Sequence, residues 1–355
     1  MRIVQMLPTL AYGDAIGNNV IAIKDALESA GYNTAIYAEN IDKRIPARTC
    51  DKIEKFTDSE DTLILYHLST GTELNEKIKK FKAKIVIIYH NVTPPEFWHK
   101  YDYNQEKRCA DGVDSVRRLA DTPVYCLADS AFNKSELIRL DYKCPVDVLP
   151  ILIRFSDYDK TPDQATVDKY SDGYTNIVFT GRVAPNKKQE DLITAFYYYH
   201  TYVNPKSRLI IAGAYQNSDV YFRKLEAYRN ELGLDDVIFT GHIPFDQILA
   251  IYKTASIFVC LSEHEGFCVP LVEAMYFGIP IIAFDSTAIG ETLGGSGLLL
   301  KDKDPKTVSE AINLIATDAG LRQKLIAGEN ERLAFFDNDR IKAQLLDHLK
   351  GQDLI

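Results

Sequence analysis

Residues suited to binding a phosphate occur close together in the second half of the chain. Arg182 and Lys187 lie five residues apart in GRVAPNK, directly after the apolar run 176–181. Arginine binds phosphate oxygens as a planar fork and lysine as a point charge, so this pair suits a diphosphate. Such a pair is also common in loops that bind nothing, and the adjacent Lys188 leaves open which lysine faces a site.

Two carboxylates flank a turn further along, in EGFCVPLVE. Glu265 and Glu273 lie eight residues apart, after the apolar run 256–262, and Pro270 suits the first turn of a helix. At the carboxyl edge of a parallel sheet, loop amides and a helix N-terminus bind anions. Carboxylates beside them can accept hydrogen bonds from sugar or ribose hydroxyls. The alternative for Glu273 is a favourable charge in the first turn of the helix.

The first half of the chain offers weaker candidates. Gly13 and Gly17 follow an apolar run, and their spacing matches neither the dinucleotide fingerprint nor the P-loop. This spacing argues against a nicotinamide dehydrogenase, although a glycine loop still lets the backbone approach a phosphate. His90 ends the apolar run 84–90 before a proline-rich loop, where a lone histidine is more often structural than functional.

Eleven short apolar runs alternate with segments long enough for helices, and this pattern predicts doubly wound parallel sheets. The polar stretch 157–176 has no strong apolar period and marks the break between two halves. We therefore predict an α/β protein with two Rossmann-like domains, residues 1–158 and 170–329, facing each other across a cleft. The predicted strands are 2–7, 34–38, 62–68, 84–90, 124–128, 176–181, 208–214, 236–242, 256–262, 280–284 and 297–300.

The 355-residue composition is globular, with 46% hydrophobic and 26% charged residues and a net charge of −9. The acidic balance argues against a nucleic-acid partner. We find no run typical of a membrane span or a secretory signal, so we expect a cytoplasmic protein. The six cysteines show no CxxC spacing, so we expect reduced thiols that are buried or incidental.

Two features of the first half suggest a surface role. Residues 1–158 hold 21 Lys/Arg against 23 Asp/Glu, whereas the remainder holds 20 against 27. Basic clusters at 77–84 and 107–119 could attract an anionic membrane, or simply form solvated helix faces. The aromatic residues of the loop 92–103 could stack on sugars or pack locally.

Together these segments resemble glycosyltransferase family 4, the retaining nucleotide-sugar transferases of the GT-B fold. Glu265 and Glu273 match the E-x7-E signature of that family, and Gly181, Arg182 and Lys187 match its G-R-x-x-x-x-K segment. FTGHI (239–243) and GIPIIA (278–283) match two further family elements. The N-terminal half matches more loosely. The resemblance also implies that the segment 330–355, with its helical apolar spacing, packs back on the first domain.

The resemblance implies a role for each matched position in the second domain. Arg182 and Lys187 would hold the donor diphosphate and offset the charge that develops on the leaving group. Glu273 would bind the ribose hydroxyls. Glu265 would hold donor-sugar hydroxyls together with the backbone of Gly266, Phe267 and Cys268.

Further expected contacts lie outside these two loops. The backbone near His242 and Ile243 would meet the base. The loop from Gly13 to Gly17 would approach the diphosphate, with Asp14 and Asn18 as further expected ligand contacts. His90 would lie beside the donor sugar near its anomeric carbon.

The implied reaction is front-face transfer of a hexose, with retention, to a hydroxyl of a glycan or lipid-linked acceptor in bacterial surface polysaccharide assembly. The expected partners are a nucleotide-diphosphate sugar as donor substrate and this acceptor, with peripheral association to the inner face of a membrane. No cofactor and no metal are expected, because Arg182 and Lys187 take the place of Mg²⁺. The alternatives are transfer to a soluble acceptor, a GT-B nucleotide-sugar epimerase, and a non-catalytic sugar-nucleotide-binding subunit.

Overall fold

The computed structural model describes residues 2–355 and divides the chain into two compact units. The first unit contains the chain up to Glu96, Tyr103–Arg154 and Phe336–Ile355. The second contains Phe97–Asp102 and Phe155–Phe335. Among the described residues we find no helix with the length and apolar character that crossing a bilayer requires.

The first unit is built on a parallel sheet of seven strands. The strands are Arg2–Leu10 (β1), Asn33–Ile41 (β2), Asp51–Lys52 (β3), Thr62–Leu68 (β4), Lys84–Tyr89 (β5), Tyr125–Ala128 (β6) and Val146–Val148 (β7). Their spatial order is β3-β2-β1-β4-β5-β6-β7. The helices up to this point are Ala15–Ser29 (α1), Leu74–Lys77 (α2), Tyr103–Arg118 (α3) and Ala131–Arg139 (α4). The central strands are buried almost throughout, as expected for strands covered on both faces.

The second unit repeats this architecture with six parallel strands in the order β10-β9-β8-β11-β12-β13. The strands are Thr175–Thr180 (β8), Ser207–Ala212 (β9), Val237–Phe239 (β10), Ile257–Cys260 (β11), Ile281–Phe284 (β12) and Leu298–Leu300 (β13). The helices are Gln164–Tyr170 (α5), Gln189–Tyr202 (α6), Val220–Glu231 (α7), Phe245–Thr254 (α8), Val269–Tyr276 (α9), Ile289–Leu293 (α10), Pro305–Thr317 (α11) and Ala319–Leu333 (α12).

All eleven predicted strands are present, and the prediction of two doubly wound parallel sheets is confirmed. Two strands were missed. β3 has two exposed residues, and β7 reads Val-Asp-Val with half-buried side chains, so neither has the apolar run that marks a buried strand. The polar stretch 157–176 is also not wholly irregular, because it contains α5, which is capped by Asp163 accepting a hydrogen bond from the Thr166 amide at 2.8 Å.

The C-terminal segment is divided between two helices. Leu333 still belongs to α12, and a short 3₁₀ turn at Ala334–Phe336 separates it from the last helix, Asn338–Gly351 (α13). Asp337 caps α13 by accepting a hydrogen bond from the Arg340 amide at 3.0 Å. The predicted helix over 330–355 therefore begins later, at Asn338. In α13, Ile341, Leu345 and Leu349 are buried.

Candidate functional site

The matched loops of the second unit follow β8 and β11, which are hydrogen-bonded neighbours in its sheet. Both loops therefore leave the carboxyl edge of the sheet side by side. The first begins at Gly181, whose φ of 141° favours glycine. A Cβ on Gly213 would lie 1.8 Å from the carbonyl oxygen of Gly181, so only glycine fits where the chain after β9 passes this turn.

An ion pair joins the two loops. The Nζ of Lys187 lies 2.6 Å from Oε2 of Glu265, and the two side chains are 21% and 10% exposed. Although burial opposes it, the Glu265 carboxylate holds the pKa of Lys187 above its usual value. Asn186 adds two hydrogen bonds between the loops, donating Nδ2 to the His264 carbonyl at 3.0 Å and accepting from the Glu263 amide at 2.9 Å.

Arg182 lies in the first of these loops with an exposed side chain. Its guanidinium lies 5.4 Å from the ring centroid of Trp98, which is in cation–π range. Gln189 binds the backbone of this loop, because its Nε2 donates a hydrogen bond to the Arg182 carbonyl at 3.2 Å. An exposed positive side chain thus lies five residues along the chain from the half-buried Lys187.

The adjacent lysines of this loop have separate partners. Lys188 lies 3.2 Å from Glu263, while Lys187 pairs with Glu265, so both lysines reach the loop after β11 through different carboxylates. Lys303 extends this network, because its Nζ lies 2.6 Å from both Glu263 and Asp191. Sequence reasoning missed Lys303, since it is 40 residues from Glu263 and belongs to no recognised motif.

A third segment holds the backbone of the Glu265 loop. Thr287 Oγ1 accepts from the Glu265 amide and donates to its carbonyl, both at 2.9 Å. Ser286 Oγ donates to the Ser262 carbonyl at 2.6 Å, and Thr292 Oγ1 donates to the Phe267 carbonyl at 2.5 Å. These hydroxyls were not predicted as site residues, and only their position after β12 brings them to the loop.

Glu273 is held by two tyrosines. Its Oε1 accepts from Tyr158 at 2.8 Å and its Oε2 accepts from Tyr252 at 2.5 Å. Burial raises the pKa of Glu273, and these hydrogen bonds oppose the rise. The alternative of a favourable charge in the first helical turn was wrong, because α9 begins at Val269 and Glu273 is its fifth residue.

The backbone expected to meet donor-sugar hydroxyls runs through Gly266, Phe267 and Cys268 to the start of α9. Gly266 is half-buried, while Phe267 and Cys268 are buried. Cys268 precedes the first residue of α9 with a φ of 74°, a conformation that L-residues rarely adopt. Its Sγ lies 4.0 Å from Sγ of Cys260.

The segment expected to meet the base follows β10. His242 is exposed and Ile243 half-buried, after Gly241 with a φ of 68°. Gly241 packs against Tyr215, where an added Cβ would lie 3.7 Å from the ring. This segment lies at the carboxyl end of its strand, the same edge of the sheet as the two charged loops.

In the first unit, the glycine loop leads directly into α1. Gly13 has a φ of 74°, and a Cβ there would meet nothing within 4 Å. Gly17 lies inside α1, where a Cβ would lie 2.7 Å from the Ala11 carbonyl oxygen. The Asp14 carboxylate, expected as a ligand contact, caps α1 by accepting from the Gly17 amide at 3.3 Å.

His90 lies at the end of β5 and its ring is buried. Its Nε2 lies 2.8 Å from Nδ1 of His67, and its Nδ1 lies 2.7 Å from Oδ2 of Asp129. His67 in turn lies 2.9 Å from Oε1 of Gln5. Burial raises the pKa of Asp129, while burial and the neighbouring His90 lower the pKa of His67. Both ring nitrogens of His90 are therefore engaged inside the first unit.

Some cations in the basic clusters of the first unit are paired with neighbouring carboxylates. Lys79 and Arg118 both contact Glu76, at 2.8 and 3.0 Å, and Lys77 lies 3.3 Å from Glu73. In the aromatic loop, Trp98 is buried, whereas Tyr103 is 75% exposed.

Residues 163–332 match the family model for glycosyl transferases, group 1. This stretch includes both charged loops, Glu273 and the segment after β10. This part of the chain is similar to the group 1 glycosyl transferases. An O-antigen chain mannosyltransferase B from Escherichia coli is 28% identical to the chain over 271 residues, covering 70% of this chain and 68% of the relative.

Solved glycosyltransferase structures share the fold of the whole chain. Sucrose-phosphate synthase from Thermosynechococcus elongatus aligns with a TM-score of 0.78 and 17% identity, over 99% of each chain. HepE from Anabaena, in complex with UDP-glucose, aligns with a TM-score of 0.75 and 16% identity, over 99% of this chain and 100% of that chain. The predicted fold class, two Rossmann-like units of the GT-B type, is confirmed.

Proposed function

We propose that the chain is a retaining glycosyltransferase that moves a hexose from a nucleotide-diphosphate sugar to a hydroxyl of a glycan or glycolipid, in the assembly of a surface polysaccharide. The observation that carries the proposal is the Lys187–Glu265 ion pair between the loops after β8 and β11. It lies inside the stretch that matches the group 1 family. A cation and a carboxylate are thus held together at the sheet edge where α/β proteins bind ligands.

The two cations would act on the leaving group. The bond from the anomeric carbon to the diphosphate breaks, and negative charge accumulates on the departing oxygen. Arg182 is exposed and can bind the phosphates as a fork, while Lys187 supplies a fixed point charge. Two cations in these positions support a reaction that needs no metal ion.

The carboxylates would position the donor. Glu265 and the amides from Gly266 to Cys268 would bind sugar hydroxyls, since the loop is held rigidly by Thr287. Glu273 would accept hydrogen bonds from the ribose hydroxyls. Tyr158 and Tyr252 would set the orientation of its carboxylate. In this reaction the acceptor oxygen attacks the face from which the diphosphate leaves, and a phosphate oxygen takes its proton, so the anomeric configuration is retained.

In the first unit we propose a phosphate contact through the backbone around Gly13 and Gly17, at the start of α1. For His90 we propose a positioning role at the end of β5, because both ring nitrogens are already bonded to His67 and Asp129. A His90→Asn variant should then weaken donor-sugar binding more than nucleotide binding.

The relatives guide the choice of substrates. The matched Escherichia coli protein is named as an O-antigen chain mannosyltransferase, and the HepE structure holds UDP-glucose. These names favour a hexose donor and a polysaccharide acceptor. If the acceptor is lipid-linked, the enzyme works in the cytoplasm against the inner face of the membrane. Because Lys79 and Arg118 are already paired with Glu76, we expect that association to be weak and salt-sensitive.

Thermal shift against UDP-, GDP-, ADP- and dTDP-sugars, with and without EDTA, tests the donor site directly. Stabilisation by one nucleotide sugar, unchanged by EDTA and lost in Lys187→Ala but kept in Lys188→Ala, is the expected result. No shift with any donor would contradict the proposal and favour a silent subunit.

A second measurement separates the reaction classes. Incubation with the stabilising donor and an oligosaccharide acceptor should yield an α-linked product from an α-linked donor, as followed by NMR of the anomeric proton. An inverted product would contradict retention, and conversion of the donor without transfer would indicate an epimerase.

Binding to anionic liposomes tests the membrane association. Absence of salt-sensitive binding would contradict it.

A further inference from the structure

Two thiols and a carboxylate meet beside the candidate donor site. Cys260 ends β11 and Cys268 immediately precedes α9, and their Sγ atoms lie 4.0 Å apart. One carboxylate oxygen of Glu265 completes a group in which all three ligand atoms lie within 4.8 Å of one another. All three residues are buried.

We propose that Cys260, Cys268 and Glu265 form a binding site for a thiophilic divalent cation, with Zn²⁺ as the natural occupant. Tetrahedral zinc binds thiolate at about 2.3 Å, so two sulfur ligands lie about 3.8 Å apart. The observed Sγ separation of 4.0 Å is close to that distance. The carboxylate oxygen has to approach the sulfurs by about 1 Å, which rotation of a glutamate side chain provides.

The backbone at Cys268 supports a role for its thiol. A φ of 74° is a conformation in which glycine is unstrained, and a residue with a Cβ costs about 1 kcal/mol more there. A cysteine at this position therefore has no conformational advantage. What its side chain adds is a sulfur facing that of Cys260.

The chain contains a second close thiol pair that serves as a matched control. The Sγ atoms of Cys126 and Cys144 lie 3.6 Å apart in the first unit. Among residues 2–355, the group with Glu265 is the only one in which three histidine, cysteine or acidic ligand atoms come this close. The control pair thus has the sulfur geometry but lacks the third ligand.

Occupation of the site would change the donor loop. The Glu265 carboxylate now bonds to Lys187, and a metal ion would take it from that lysine. Lys187 interacts electrostatically with both thiols, so it would offset the negative charge of two thiolates and a carboxylate around a dication. On the proposed function, Zn²⁺ would inhibit transfer and compete with the nucleotide sugar.

Titration with Cd²⁺ tests metal binding without any assay of transfer, because cadmium–thiolate bonds absorb in the ultraviolet. The protein is kept reduced with a phosphine, and Zn²⁺ is then added to displace Cd²⁺. We expect one tight equivalent in the wild type. Removing a thiolate in Cys260→Ser or Cys268→Gly should weaken the affinity for Cd²⁺ by about 100-fold or more, and Glu265→Gln should weaken it by about 10-fold. The double variant Cys126→Ala/Cys144→Ala should keep it.

The Cys268→Gly variant separates loss of the ligand from loss of the fold, because glycine suits the φ of this position. Its thermal midpoint should stay near that of the wild type, so a lost cadmium signal reports the missing ligand. No band in the wild type, or a band unchanged in both Cys260→Ser and Cys268→Gly, would overturn the proposal. Tight metal binding by a protein that shows no transfer would support the metal site while the transferase proposal failed, so the two are tested separately.

Discussion

The ammonium of Lys187 lies 2.6 Å from the carboxylate of Glu265, although the two residues are 78 positions apart in the chain. This ion pair closes the space between the loops after β8 and β11. Each residue is largely buried, so each depends on the other for its charge to be compensated. The contact therefore couples the stability of this edge of the sheet to its proposed chemistry.

Replacing Lys187 by alanine should abolish transfer and also lower stability. The change leaves the Glu265 carboxylate without its cation, and breaking a largely buried pair costs on the order of 2–3 kcal/mol. Lys188→Ala is the control, because Glu263 keeps Lys303 as its partner. Urea unfolding and single-turnover transfer measure the two effects. Near-wild-type transfer in the Lys187 variant would show that Lys187 does not bind the diphosphate.

The tyrosines around Glu273 should control its protonation. Tyr252→Phe removes a hydrogen bond of 2.5 Å to the carboxylate, and Tyr158→Phe removes one of 2.8 Å. Because these donors favour the ionised form, each variant should raise the pKa of Glu273 further above its usual value. Nucleotide binding measured from acid to neutral pH should then reach its plateau at a higher pH than in the wild type. A coincident pH profile would show that Glu273 does not contact the ribose.

Replacing Gly213 by alanine should destabilise the loop that carries Arg182. The added Cβ would overlap the Gly181 carbonyl oxygen, and backbone cannot move aside cheaply, so we expect a loss of at least about 2 kcal/mol. Gly328→Ala is the control in the same unit. Its Cβ would meet only Ser296, at 3.9 Å, and alanine favours the helix by about 0.5–1 kcal/mol. Thermal melts of both variants test the difference, and equal midpoints would contradict it.

A buried carboxyl in α12 should make stability depend on pH. Oε1 of Glu329 accepts from the Ile281 amide at 2.9 Å, Oε2 has no hydrogen-bond partner, and burial raises the pKa of the group to about 7. The folded state thus holds a proton that the unfolded chain releases near its ordinary pKa of 4.5. The stability contributed by this group is complete below pH 4.5 and is lost as the pH rises towards about 7.

The variant Glu329→Gln isolates this effect. The difference in unfolding free energy, wild type minus variant, should fall by up to about 3 kcal/mol between pH 4.5 and 7 and stay constant above it. Urea unfolding of both proteins across that range measures it. A pH-independent difference would show that Glu329 titrates normally in the folded protein.

Much of the fold follows from local patterns. The eleven predicted strands are apolar runs because parallel strands between helices are buried on both faces, and such a run is visible in the sequence alone. The same logic missed β3 and β7, which lie at the edges of their sheet and are less buried. It also missed the break before α13, where Asp337 caps a new helix within a continuous apolar period.

The sequence by itself determined the family-matched loops, since the spacing of Arg182 and Lys187 and of Glu265 and Glu273 is a property of the chain. Only the tertiary structure decided the partners of these residues. The pairing of β8 with β11 brings Lys187 to Glu265, and the packing around α9 brings Tyr158 and Tyr252 to Glu273.

The thiols show the same division for a different physical reason. Cys260 and Cys268 have no motif spacing, and the sequence indicated only reduced, buried or incidental thiols. They meet because the loop between them folds back and enters α9 through a left-handed residue. Apolar periodicity fixes which segments are buried, whereas distances between polar atoms depend on strand order and loop conformation, which no local pattern records.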